Sequence, residues 1–261
     1  MSTRVRRVRF VERPFIERPS EYDISPRWTV VTLVAGMVAA VLAQLLCSFY
    51  AMLLIGPIFC LTSGVAQSHV LSRYTGGLVR FTWWEWALYT TAFGSCGWFV
   101  GMSLSFTIGR DLFAGSFDFL SVSLASQVVL LFWGTLTGLM LGFGQALILR
   151  WKTRAIFGPH FFASTAKAGA LWTAVSATSW AVGLGLGGLM FVVTTPVFVK
   201  TTPGDDLFPE LTPEVFAMQI ISLVVFSVPI STATGATLAW LLRHSVTGAS
   251  HNPNFISHKV N

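Results

Sequence analysis

Charge is what this sequence has least of: 11% of its 261 residues are Asp, Glu, Lys or Arg, where a soluble domain carries about 25%. So few charges cannot clothe a water-facing surface. Buried-carboxylate chemistry is missing too, because the long apolar runs hold almost no acidic residue, and an intramembrane carboxylate or lysine is the usual mark of a proton or ion path. The three cysteines, Cys47, Cys60 and Cys96, lie inside apolar stretches without C-x-x-C spacing. That argues against a zinc site or a disulfide framework and for small packed hydrophobes. Neither H-E-x-x-H, G-x-S-x-G nor a P-loop occurs, which lowers the expectation of an enzyme.

What is present is apolar and aromatic. Hydrophobic residues make up 53% of the chain, with 22 Phe and 10 Trp, and Trp settles where lipid tails meet headgroups. The segment from Trp28 to Leu71 is uncharged, and about 20 apolar residues suffice for one crossing, so it must cross twice. Gly56-Pro57 is the expected turn, since Pro suits a helix start and breaks an interior. Helix 1 is therefore expected over 28–53 and helix 2 over 57–73. Four further runs, Trp83 to Ile108, Val122 to Arg150, Ala166 to Val193 and Val215 to Leu242, complete an all-α polytopic membrane protein of about six helices arranged as three hairpins. Pro229 should kink helix 6, with Ser227, Ser231 and Thr232 near the freed carbonyl. The apolar run near Trp28 is too long for a cleaved signal peptide. This divides the chain into a basic disordered tail (1–27), the bundle (28–244) and a short C-terminal tail (245–261).

The net charge of +6 points to topology rather than to nucleic acid, because no basic helix face or RNA-binding signature accompanies it. With six spans, Arg4, Arg6, Arg7, Arg9, Arg13, Arg18, Arg27, Arg73, Arg80, Arg150, Lys152, Arg154, Lys167, Arg243 and Lys259 share one side. Those are 15 of the 17 Lys and Arg, leaving Arg110 and Lys200 opposite. Basic residues in short loops stay cytoplasmic, so both termini are expected inside.

Helices 2, 4 and 6 end alike, in Gly64-x-x-Gln67…Leu71-Ser-Arg73, Gly142-x-x-Gln145…Leu149-Arg150 and Gly235-x-x-Leu238…Leu242-Arg243. Helices 3 and 5 share Trp98-x-x-Gly101 and Trp180-x-x-Gly183. The simplest source is one hairpin repeated three times. The G-x-x-Q and L-R ending, followed by a Trp-containing helix, resembles a loose group of multi-spanning bacterial membrane proteins, several from phototrophs. The resemblance spans about residues 57 to 244 and departs where Leu238 replaces the glutamine. It implies the architecture and no chemistry; a bacterial inner membrane is the expected location.

Candidate functional residues are correspondingly few. Glu85, within Trp83-Trp84-Glu85-Trp86, reads as an interfacial anchor at a helix start. Gln67 and Gln145, with Ser231 and Thr234 of helix 6, are either glue between helices or the lining of a path for a neutral solute. Gln44, Gln127 and Gln219 are further amides within spans. His69 and His244 are the candidate ligands for haem or a chlorophyll-type pigment, although no cofactor or metal is expected. Gly134, Gly138 and Gly142 in helix 4, and Gly183 and Gly187 in helix 5, form stripes four residues apart for close helix packing. Phe10 and Phe15 head a tandem Phe-x-Glu-Arg-Pro repeat, which is either a docking peptide or part of a basic tail resting on anionic lipid. The expected partners are the lipid bilayer and other membrane subunits or further copies. An accessory or assembly role is the leading functional reading; a transporter, or a pigment- or quinone-binding subunit, is the alternative.

Overall fold

The computed structural model describes residues 24–46, 51–74, 83–112, 124–157, 165–198 and 213–250. Among these all regular structure is helical: α1 (Ile24–Leu46), α2 (Ala51–Tyr74), α3 (Trp83–Leu112), α4 (Leu124–Phe157), α5 (Ala166–Phe198) and α6 (Pro213–Ser250). A helix satisfies its own backbone groups, which is the condition for a segment that lipid surrounds. Five of the six are long and apolar enough to cross a membrane. The sixth, α3, has 30 residues, about 45 Å of helix, and owes its lower hydropathy to Trp, Thr, Ser and Gly. It packs between α2 and α4 and turns Leu88, Phe99, Val100 and Leu104 outward, as its neighbours do with their own apolar residues.

Each helix packs beside the next, and α6 returns to α1, closing a ring of three antiparallel hairpins. The distribution of polarity is inverted relative to a soluble bundle. Val34, Leu61, Leu88, Phe143, Leu186 and Val228 are exposed, whereas Thr32, Gln67, Thr90, Gln145 and Ser176 are buried. An apolar exterior of this extent requires lipid as its solvent. The chain is thus an all-α polytopic membrane protein.

The first hairpin differs from the sequence expectation. Helix α1 ends at Leu46 and α2 begins at Ala51, so Pro57 lies inside α2. The reason is tertiary: the Trp98 indole of α3 lies where a Cβ on residue 56 would stand. Glycine is needed there for ring contact rather than for a turn, and α2 accepts the one backbone bond that Pro57 forfeits. The ends differ as well. Helix α1 starts at Ile24, which is buried with Trp28 in the core, and α6 continues to Ser250. In α6 the hydroxyls near Pro229 bond other carbonyls than the freed one of Val225. Ser227 donates to Leu223 O, and Ser231 and Thr232 donate to Val228 O.

Candidate functional site

Two apolar clusters fill the ring, one toward the end that carries Arg73, Arg150 and Lys167, here called the basic end, and one toward the opposite end. At the basic-end level three odd-numbered helices each send one indole to the middle: Trp28 from α1, Trp86 from α3 and Trp172 from α5. Their centroids are 6.2, 6.3 and 6.5 Å apart, with interplanar angles of 74°, 85° and 72°. This is a triangle of edge-to-face contacts, the arrangement that the ring quadrupole favours.

Each of these three buried indoles has an acceptor for its N–H, the one polar group that Trp offers. The even-numbered helices supply the acceptors. Trp86 Nε1 donates to Gln67 Oε1 at 3.2 Å and Trp172 Nε1 to Gln145 Oε1 at 3.1 Å. The amide nitrogens then donate onward: Gln67 Nε2 to Thr32 Oγ1 at 3.2 Å, and Gln145 Nε2 to Thr90 Oγ1 at 3.0 Å. Each glutamine therefore ties three helices, α1–α2–α3 in one case and α3–α4–α5 in the other. Thr32 and Thr90 sit one turn after Trp28 and Trp86, which places each threonine on the same helix face as the tryptophan of its own helix.

The third corner, α5–α6–α1, is built differently. Leu238 is fully buried in the register that the glutamines occupy elsewhere. Trp28 Nε1 donates instead to Thr234 Oγ1, at 3.0 Å, one turn earlier in α6. Ser176, one turn after Trp172, is buried and its Oγ has no hydrogen-bond partner among the described residues. The corner that lacks the amide is the corner with an unsatisfied hydroxyl.

Glu85 and Lys152 join α3 to α4 at the basic end through a 2.6 Å ion pair, with side chains 14% and 18% exposed. The anchor is thus a side chain of the neighbouring helix as well as the interface. The glycine stripes lie at seams. Ideal Cβ atoms on Gly134 and Gly142 would stand 2.5 Å from Trp180 O and 2.7 Å from Ser176 Cβ, and Gly138 meets the Ser176 carbonyl. In α5, Gly183 and Gly187 face Phe226 of α6, at 2.6 Å from its O and 2.9 Å from its Cβ. Trp98 and Trp180 join the second cluster, where Trp98 lies against Trp133 at 4.4 Å and Trp180 against Phe226 at 5.2 Å. If the glutamine corners set the register, these two tryptophans are out of step by one turn, since Leu184 rather than Trp180 then corresponds to Trp98.

Other candidates are dispersed. Gln67, Gln145, Ser231 and Thr234 are all buried; the first two and Thr234 meet the indoles, while Ser231 bonds its own helix. Gln127 Nε2 and Gln219 Oε1 are buried without partners among the described residues. His69 is exposed on the outer surface of α2, facing away from the bundle interior. His244, Gln44, Phe10 and Phe15 have side chains outside the described residues. Cys60 is buried against Gly94 and Cys96 is exposed. Among the described residues no group of three or more His, Cys, Asp or Glu is placed to hold a metal. Sequence reading missed the triad itself, although Trp-x3-Thr/Ser recurs at Trp28, Trp86 and Trp172 and would have marked it. No family model, no curated protein and no solved structure matches the chain.

Proposed function

We propose that this chain is a non-enzymatic structural or assembly subunit of a larger membrane complex, built from three copies of one helical hairpin. The observation that carries the reading is the committed interior at the basic end. Three indoles occupy the middle of the ring, and the Gln67, Gln145, Thr32, Thr90 and Thr234 side chains around them are spent on the indoles and on one another, as in a rigid scaffold rather than a path. The repeat is supported by the two glutamine corners, whose donors, acceptors and spacing agree, and by Gly64 and Gly142. One faces Ala87 and Thr90 and the other Thr173 and Ser176, positions that correspond when Trp86 is aligned with Trp172. The resemblance to bacterial multi-spanning proteins, an inner-membrane location and cytoplasmic termini belong to the same proposal, the last resting on the division of basic residues.

A transporter for a neutral solute would use Gln67, Gln145, Ser231 and Thr234 as lining, and the triad would have to part before they could face a solute. Blue-native electrophoresis of the source membrane, with detection of the chain in the second dimension, tests the scaffold reading. It is expected at the mass of a larger assembly. Migration only as a free monomer would refute it.

A further inference from the structure

We propose that the outer face of α4 at the basic end is a binding site for an anionic phospholipid, with the phosphate between Arg150 and Arg154. Four cations lie near this end of the bundle on α4 and α5: Arg150, Lys152, Arg154 and Lys167. Lys152 is withdrawn from the surface by its bond to Glu85. Arg150 and Arg154 are exposed and make no ion pair with a described residue, so two guanidinium groups one turn apart have no counter-ion beside them among the described residues.

Their position on the helix points to the ligand. Arg150, Arg154, Leu147 and Phe143 fall within about 60° of one another on the helix circumference, and Leu147 and Phe143 are exposed apolar residues. The stripe is thus cationic at its end and apolar toward the middle of the membrane. Phe143 meets Phe93 of α3 at 6.2 Å, and Phe93 stacks on Tyr89 at 6.0 Å, which gives the α3–α4 groove an aromatic floor. At its mouth, Trp84 and Trp151 are each more than half exposed and neighbour the two members of the Glu85–Lys152 pair. A double-chain lipid matches this sequence of surfaces: phosphate on the arginine pair, where a guanidinium can bond two oxygens, glycerol region at the indoles and an acyl chain along Leu147 and Phe143. A soluble anion would use the first of these surfaces and none of the rest.

Native mass spectrometry of the full chain, released from nanodiscs of equal phosphatidylcholine and phosphatidylglycerol, tests the site. The wild type is expected to retain phosphatidylglycerol preferentially. R150Q and R154Q should each lower that retention about fivefold, which corresponds to about 1 kcal/mol per basic residue beside an anionic lipid. R73Q, which removes an exposed arginine from α2 at the same end, should leave it unchanged, and R150K should keep most of it. Circular dichroism and thermal stability of the variants are expected to match the wild type, because neither arginine touches the core. Equal retention by wild type and the R150Q/R154Q double variant, an equal loss in R73Q, or competition by millimolar inorganic phosphate as effective as by the lipid would overturn the proposal.

Discussion

Replacing Gln145 by Leu should cost more than replacing Gln67 by Leu, even though the two side chains make the same bonds. In each variant two buried hydrogen bonds disappear, at about 0.6 kcal/mol apiece for interhelical bonds within membranes. Volume is nearly conserved, so no cavity term enters. The difference lies one turn earlier on the same helix. At the third corner Trp28 is satisfied by Thr234, four residues before Leu238. The residue four before Gln67 is Ser63, buried, with its own proton given to Cys60 O and its lone pairs free to accept from Trp86. The residue four before Gln145 is Leu141, which accepts nothing, so Trp172 Nε1 is orphaned at a further cost of about 1–3 kcal/mol. Gln145→Leu is therefore expected to destabilise by about 2–4 kcal/mol and Gln67→Leu by about 1–2 kcal/mol. Adding Leu141→Thr to Gln145→Leu copies the Thr234 and Leu238 arrangement and should recover most of the excess. Reversible unfolding in mixed micelles, followed by far-ultraviolet circular dichroism, measures all three. Equal costs for the two glutamines, or no recovery from Leu141→Thr, would refute the reasoning.

At the unsatisfied corner, Leu238→Gln should stabilise the protein when Ser176 is present and lose that gain in Ser176→Ala; a double-mutant cycle by the same unfolding assay reads the coupling. Gly138→Val drives a side chain into the α5 backbone at Ser176 and Ala177 and is expected to cost about 1–3 kcal/mol or more, measured as a lower unfolding midpoint. Lys152→Met removes the 2.6 Å ion pair to the largely covered Glu85 and should destabilise by about 1–3 kcal/mol, whereas Glu85→Gln with Lys152→Met recovers part of the loss in a thermal melt. For topology, single cysteines at Ser116, Thr202 and Ser250, in a background lacking Cys47, Cys60 and Cys96, should react with an impermeant maleimide in intact cells only at the first two. Labelling of Ser250→Cys, or protection of Thr202→Cys, would require an odd number of spans.

Much of the architecture is legible in the amino-acid sequence. The apolar runs set the number of helices, because length and freedom from charge are what lipid demands of a segment and both are local properties of the chain. The start of α3 at Trp83 and of α5 at Ala166 can be read directly for that reason. The place of Pro57 cannot, since its position inside α2 depends on Trp98, a residue on another helix that needs Gly56 as its floor. The same limit applies to the tryptophans. Gln67 and Gln145 stand out as polar residues at matching positions, yet nothing local assigns them Trp86 and Trp172 as donors and Thr32 and Thr90 as acceptors.

By itself, then, the sequence determined that this protein lives in a membrane, where its long apolar helices lie and which helix ends carry basic residues. Hydropathy and charge act residue by residue, and the bilayer reads them in that form. Only the tertiary structure decided that the helices close into a ring, that three indoles meet in its middle and that Leu238 leaves one corner short of a bond. Those outcomes depend on which faces of separate helices approach within hydrogen-bonding distance, and an apolar exterior on every helix hides that choice from any single stretch of chain.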